Sequence, residues 1–428
     1  MSTKLVKSMG SAGGTDAGLA GWLVVLALWT RFFLMVGVLK SIGMMIPLLQ
    51  DQFDTSTWVL GWISSIIGTS SGISGIFSKL IGRRFRPGYA VMTCGVMISA
   101  AVIIASFATS PGHLACVFVV LLGTGFGISG VLMKEVIGRC FTTNYATATG
   151  IARTGDSAGL IVCAPLFQLF LDTYGWRGAM LLMGAISMHL VVCGALMVRA
   201  GPTSTYQELS EDDVISEPSQ LPTSCDALSR NLSRNFEIQL LSDYRYWAAA
   251  SVACCTKYAF NMWIIYFVSQ AQSNGFSLED ATTFVTVAGV GGLLGRLAQG
   301  LLMDRKIIPL FPLMAITMTV CSASFCATPF LTSYWLMMTS SLMIATFSGA
   351  LCCLQDVLCK QVLGVNLLAG AFGWRGITSA TMDFSLGFIP GLIYDTTGSY
   401  TTAFIFLGSV QFIPMFPLLI LRYNGWVE

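Results

Sequence analysis

The sequence predicts an all-α membrane protein of twelve transmembrane helices, arranged as two six-helix bundles. Three observations predict it. Of the 428 residues, 54% are hydrophobic and only 10% charged, with a mean hydropathy of +0.73; no soluble domain of this size needs so little charge. Apolar runs of about 20 residues, the length at which a helix crosses hydrocarbon, recur along the chain. A polar stretch containing YQELSEDDVISEPSQLPTS divides them into six and six, and it is too acidic and too rich in serine and proline to bury a core of its own.

The first run, Gly21 to Pro47, carries two cations, Arg31 and Lys40, among apolar residues. A cation within a span costs about 3 kcal/mol on insertion scales, so it faces a bundle interior or a wet cavity rather than lipid. Five more spans are expected near residues 57–80, 88–108, 113–137, 147–170 and 177–199, and six after the linker, near 244–271, 280–303, 308–329, 334–359, 366–392 and 401–421. The expected organisation is therefore a tail over 1–19, a bundle over 20–200, a disordered linker over 201–243, a second bundle over 244–421 and a tail over 422–428. Lys4, Lys7, Arg83, Arg84, Arg86, Arg139, Arg199, Arg230, Arg234, Arg305, Lys306 and Arg422 all fall on the side of the linker and both termini. Positive charge accumulates in cytoplasmic loops, which makes that side the expected cytoplasmic one.

Several function classes are excluded or disfavoured. A formal net charge of +2 offers nothing for nucleic acid. No glycine loop ending in Lys-Ser/Thr is present to hold ATP, and His113 and His189 are the only histidines, so no metal centre is expected. The cysteines lack metal-ligand spacing, and the adjacent pairs Cys254-Cys255 and Cys352-Cys353 do not form a secreted disulfide framework. Glycines spaced four apart, as at Gly68/Gly72, Gly123/Gly127, Gly155/Gly159 and Gly291/Gly295, are helix-packing positions. In the linker, Asn231-Leu-Ser233 is a glycosylation sequon that stays bare in the expected topology, and Arg230 three residues before Ser233 is a weak kinase-type signal.

After the second span the chain reads GIFSKLIGRR, with Gly75, Gly82, Arg83 and Arg84, and after the eighth GLLMDRK, with Gly300, Asp304 and Arg305. Both resemble the loop that follows the second span of each half in the major facilitator superfamily, where glycine allows close helix approach and the charges latch helix ends. The first copy departs from the pattern, because Lys79 stands where the acid belongs.

A narrower resemblance is spread over most of the chain outside the linker. TDAGLAGW (Thr15 to Trp22), Lys40-Ser41, Gly123-Thr-Gly-Phe126 with Arg139-Cys-Phe141, Gly150 with Gly155 and Gly159, Trp176-Arg-Gly178 and Tyr394-Asp-Thr-Thr-Gly-Ser-Tyr400 are similar to motifs of the monocarboxylate porter family. That resemblance implies alternating access by two rocking halves, a small organic acid as substrate, no cofactor beyond a co-transported proton, and residence in the plasma membrane. Some members of the family reach the surface with a single-span immunoglobulin-type partner, which stays open here. One departure bears on coupling. The family pattern places an aspartate four residues before the arginine of the eighth span, whereas Gly292 precedes Arg296 here. The resemblance therefore leaves two forms of the carrier open, a proton symporter or a proton-independent uniporter of a non-lactate, creatine-like solute. A transport-dead sensor of the same fold is the reading from another class.

The intramembrane charges are the candidate site. Arg296 lies eight residues before Asp304, about 12 Å from that helix end; its planar fork suits a carboxylate, the alternative being a structural bridge to a neighbouring acid. Lys40, near the outer end of its helix, serves the substrate or snorkels to the interface. Arg31 is nine residues earlier and so points the opposite way, which makes it the structural one of the two. Arg153 and Asp156 share a helix face, and Lys134 adjoins Glu135; both pairs are expected to brace helices or gate. Arg375 and Asp383, eight apart, share a face, and Asp383 is expected to partner an arginine or to titrate in place of the missing acid.

Overall fold

Loop chemistry sets the helix boundaries. Pro87, Pro111 and Pro309 stand at helix starts, Ser110, Asp243, Ser277 and Ser399 cap others with their side chains, and glycines at positive φ (Gly364, Gly398) follow helix ends. The computed structural model describes residues 18–53, 57–200, 236–387 and 389–427. The expected linker up to residue 235, its sequon and Ser233, and most of the N-terminal tail lie outside them.

Among the described residues there is no β-strand. The first half comprises α1 (Gly18–Phe53), α2 (Thr57–Ser74), the short α3 (Ser78–Arg84), α4 (Pro87–Ala105), α5 (Pro111–Val117) continuing through a π-turn into α6 (Thr124–Cys140), α7 (Tyr145–Ser187) and α8 (His189–Ala200). The second comprises α9 (Tyr244–Ser273), α10 (Leu278–Asp304), α11 (Leu310–Ala327), α12 (Tyr334–Leu363), α13 (Leu368–Leu386), α14 (Ile389–Thr397), α15 (Tyr400–Phe412) and α16 (Met415–Tyr423). Gly175, at φ 67°, folds α7 between the fifth and sixth expected spans; a positive φ is what only glycine adopts freely.

Eight described stretches are individually long and apolar enough to span a bilayer, and one of them, Tyr145–Val198, holds two of the expected runs. The others of the twelve carry polar residues or breaks, such as Lys257 in α9 and the interruption after α13.

Among the described residues, packing between the halves gathers toward one side. A core cluster extends from α1, α4 and α6 through Leu351, Leu354, Leu358 and Phe372 of the second half, all near the end of the molecule from which the linker runs. A separate cluster around Tyr258, Phe267, Phe284 and Phe404 belongs wholly to the second half, toward the other end. Among the described residues the molecule is therefore closed at what we term the linker face, and the packing between the halves does not extend to the opposite, far face. Glycines make the closure possible. A Cβ at Gly376 of α13 would stand 2.7 Å from the Gly72 carbonyl of α2, and one at Gly300 of α10 would stand 2.7 Å from Thr147 of α7.

Candidate functional site

Asp356, fully buried on α12, organises the interface between the halves. Its carboxylate accepts from the Arg375 guanidinium at 2.7 Å and from that of Arg153 at 3.0 Å, and the Lys134 ammonium stands at 3.3 Å. Lys134 and Arg153 belong to the first half, Asp356 and Arg375 to the second, so one carboxylate ties both together. Counted along their helices, the four lie about 10 Å from the linker-face ends. Phe32 and Phe372 cover the cations, with the Lys134 ammonium 5.2 Å from the Phe372 ring and the Arg153 guanidinium 5.1 Å from that of Phe32.

This network corrects three expected pairings. Arg153 reaches Asp356, not Asp156, which forms no ion pair among the described residues. Glu135 pairs with Arg139 one turn on, at 2.6 Å, while its neighbour Lys134 points into the interface. Arg375 pairs with Asp356, and Asp383 instead meets Lys257 of α9 at 2.9 Å. For Lys134, Arg153, Arg375 and Asp383 the cause is the same: helical spacing tells which side chains share a face, whereas the partner is supplied by another helix; Glu135, adjacent to Lys134 and so on a different face, turns to the residue four on. Asp356 was hidden in a long apolar run; an acid there, with unmatched cations elsewhere, is the signal that could have found it.

Further from the linker face lies Arg296, buried on α10, whose Nη1 donates to Ser157 Oγ of the opposite half at 2.6 Å. Its Nε has no hydrogen-bond partner among the described residues. A Cβ at Gly292 would stand 3.3 Å from Nη1, so the family's acid would touch this guanidinium. Arg31 is buried as well. Its Nη2 donates to the Phe126 carbonyl at 2.7 Å between the rings of Phe32 and Phe126, and Gly130 makes room for it. Lys40 is exposed but not near the outer end of its helix as expected, because α1 continues to Phe53, 13 residues beyond it.

The two loops latch the linker face in different ways. Asp304, in the second copy, accepts from the first backbone N–H groups of α7, Ala146 at 3.3 Å and Thr147 at 2.6 Å. A carboxylate at a helix N-terminus satisfies orphan donors and meets the positive end of the dipole; Arg305 beside it is exposed, as are Arg83 and Arg84. In the first copy Lys79 pairs with Glu237, at the very end of the linker. Glu237 lies against Gly370 in the first turn of α13, where a Cβ would overlap its carboxylate. Phe236 packs edge-on to Phe77 of the first half and accepts from Trp374 Nε1 of the second at 2.7 Å. The acid missing from the first loop is thus replaced by one delivered from the linker. Gly75 and Gly82 stand where helices approach, 3.1 Å from Val131 and Leu132 as judged by an added Cβ.

Among the described residues no group of histidine, cysteine or acid could hold a metal.

Comparison with known proteins agrees with this architecture. The Major Facilitator Superfamily profile matches residues 28–384. Monocarboxylate transporter 12 of Rattus norvegicus is 27% identical over 420 residues, covering 95% of this chain and 86% of its own. Monocarboxylate transporter 13 of Bos taurus is 28% identical over 389 residues, covering 91% and 86%. In solved structures the fold resembles the proton:xylose symporter XylE bound to 6-bromo-6-deoxy-D-glucose (TM-score 0.71, 12% identity, 95% and 96% covered) and FucP in the outward conformation (0.66, 15%, 94% and 99%). A multi-pass, all-α chain whose two halves are latched around buried charge, matched by that profile over most of its length, belongs to the major facilitator superfamily, as a divergent relative of the monocarboxylate transporters.

Proposed function

We propose that the chain carries a small organic monocarboxylate, or a related zwitterion, across the plasma membrane by alternating access, with the linker face cytoplasmic. One observation carries this reading: at the interface between the halves, Lys134, Arg153, Arg296 and Arg375 are met by a single acid within ion-pair distance among the described residues, Asp356. Buried charge needs a counter-ion, and a solute carboxylate supplies it. Arg296 is the expected contact, because among the described residues it meets a serine hydroxyl and no acid, its Nε has no partner there, and its fork accommodates two oxygens. Rocking the halves breaks Lys134 and Arg153 away from Asp356, while Arg375 stays with it on the same half. The anion then compensates the two cations left behind. With Gly292 in place of the family's acid, we assign net flux to the solute gradient rather than to a proton relayed beside Arg296. The relatives' printed names agree with a monocarboxylate as cargo.

The test is uptake of a labelled carboxylate panel by cells expressing the wild type or Arg296→Ala. Flux in the wild type that Arg296→Ala abolishes, at equal surface abundance, supports the proposal. Absence of flux in both, or equal flux in both, overturns it.

A further inference from the structure

We infer that Lys257, held in place by Asp383, is a second anion-binding residue in the solute compartment, on the part of it that opens to the far face. The inference rests on the carrier reading above and adds a residue to it.

Depth comes first. Lys257 is 13 residues into α9 and Asp383 is 15 into α13, which puts both about 20 Å from the linker-face helix ends, near the middle of a bilayer. Even so, the pair is open, with relative side-chain exposure of 45% for Lys257 and 27% for Asp383. A charged pair open to hydrocarbon at that depth would be costly, so the space it faces is wet.

The direction of opening follows from what shares its face. On α9, Tyr246, Ala250 and Ala253 lie on the Lys257 side toward the linker face and are all buried. Beyond Lys257 on that side, Asn261 is half-buried and Ile264 exposed. A lipid-facing stripe would be exposed along its whole length; this one is covered toward the linker face, where the Tyr246 hydroxyl meets Thr378 of α13. The α13 helix behaves in the same way. Gly376 and Ala380, on the Asp383 side, pack against Gly72 of the first half, 2.7 Å and 3.2 Å away as judged by an added Cβ. One turn further on, that contact ends and Asp383 is half-open. Lys257 and Asp383 therefore stand at the line where the two halves separate.

Chemically, the more open member is the ammonium. It keeps donors for a solute oxygen while one donor holds Asp383. Asp383 acts through Lys257, as a positioning residue. Both are on the second half, as is Arg296, so they travel together when the halves rock.

The experiment is concentration-dependent uptake of whichever labelled acid in a pyruvate, lactate and butyrate panel the full-length wild type takes up best, normalised to surface-biotinylated protein. Lys257→Gln is expected to raise KM about tenfold with Vmax kept within about twofold. Lys257→Arg keeps KM near that of the wild type, and Lys257→Gln with Asp383→Asn behaves like Lys257→Gln alone. An unchanged KM in Lys257→Gln overturns the inference, and so does recovery in the double variant, the mark of a pair that only braces two helices. Should Lys257→Gln fail to reach the surface, the swapped pair Lys257→Asp with Asp383→Lys decides: a raised KM supports the assignment and a wild-type KM overturns it. Wild-type flux that depends on Arg296 but not on Lys257 removes this inference alone. Absence of wild-type flux removes both.

Discussion

Replacing Asp356 by asparagine tests the interface most sharply. The carboxylate is fully buried and holds three cations at 2.7, 3.0 and 3.3 Å, two from the first half and one from its own. Asparagine fills nearly the same volume but removes the one negative charge that all three cations contact. Breaking a buried ion pair by deleting one partner costs about 3–5 kcal/mol. Cations stranded around the same site repel by a further few kcal/mol per pair at an effective dielectric of about 20, before they relax. Relaxation is easiest by separating the halves, so Asp356→Asn should both lower thermal stability and open the linker face. The assay is fluorescence-detected size-exclusion chromatography of detergent-solubilised protein after a temperature series. The midpoint is expected to fall well below that of the wild type and to recover in part when Arg153→Gln removes one of the stranded cations. An unchanged midpoint with normal uptake in Asp356→Asn, or no recovery in the double variant, would refute the reasoning.

Two other outcomes follow, besides those given for Arg296 and Lys257. Gly292→Asp places a carboxylate against the Arg296 guanidinium, and uptake that is flat with external pH in the wild type should then rise on acidification, measured in cells over an acid-to-neutral series. Glu237→Gln removes the acid that answers Lys79 beside α13, and a cysteine placed at Ser74, buried in the wild type, should then react faster with maleimide added from the linker side.

Much of the fold was legible because hydrophobic length is a local property: the runs, the polar break and the repeated loop each show in a few dozen residues. The charge network was less legible. Lys134, Arg153 and Arg375 could be picked out as cations at bilayer depth, but their shared partner could not. Arg153 finds Asp356 across 203 residues, and nothing in a helical repeat announces that. Lys257 was overlooked within an apolar run, although it and Asp383 pair at matching depths on α9 and α13. The departure at Lys79 is visible in the sequence, but its remedy is not, since Glu237 sits inside the 201–243 stretch expected to be disordered, whose last residues instead form an ordered turn at Ile238–Ser242.

That remedy changes what the connection between the halves does. A tether that merely joined two bundles could be lengthened, cut or decorated with little effect on transport. Here its last residues are wedged between Phe77 and Lys79 on one side and Gly370 and Trp374 on the other, like a bolt shot across a door. Opening this side requires the bolt to be drawn, so whatever pulls on the connecting strand also sets how often the door swings.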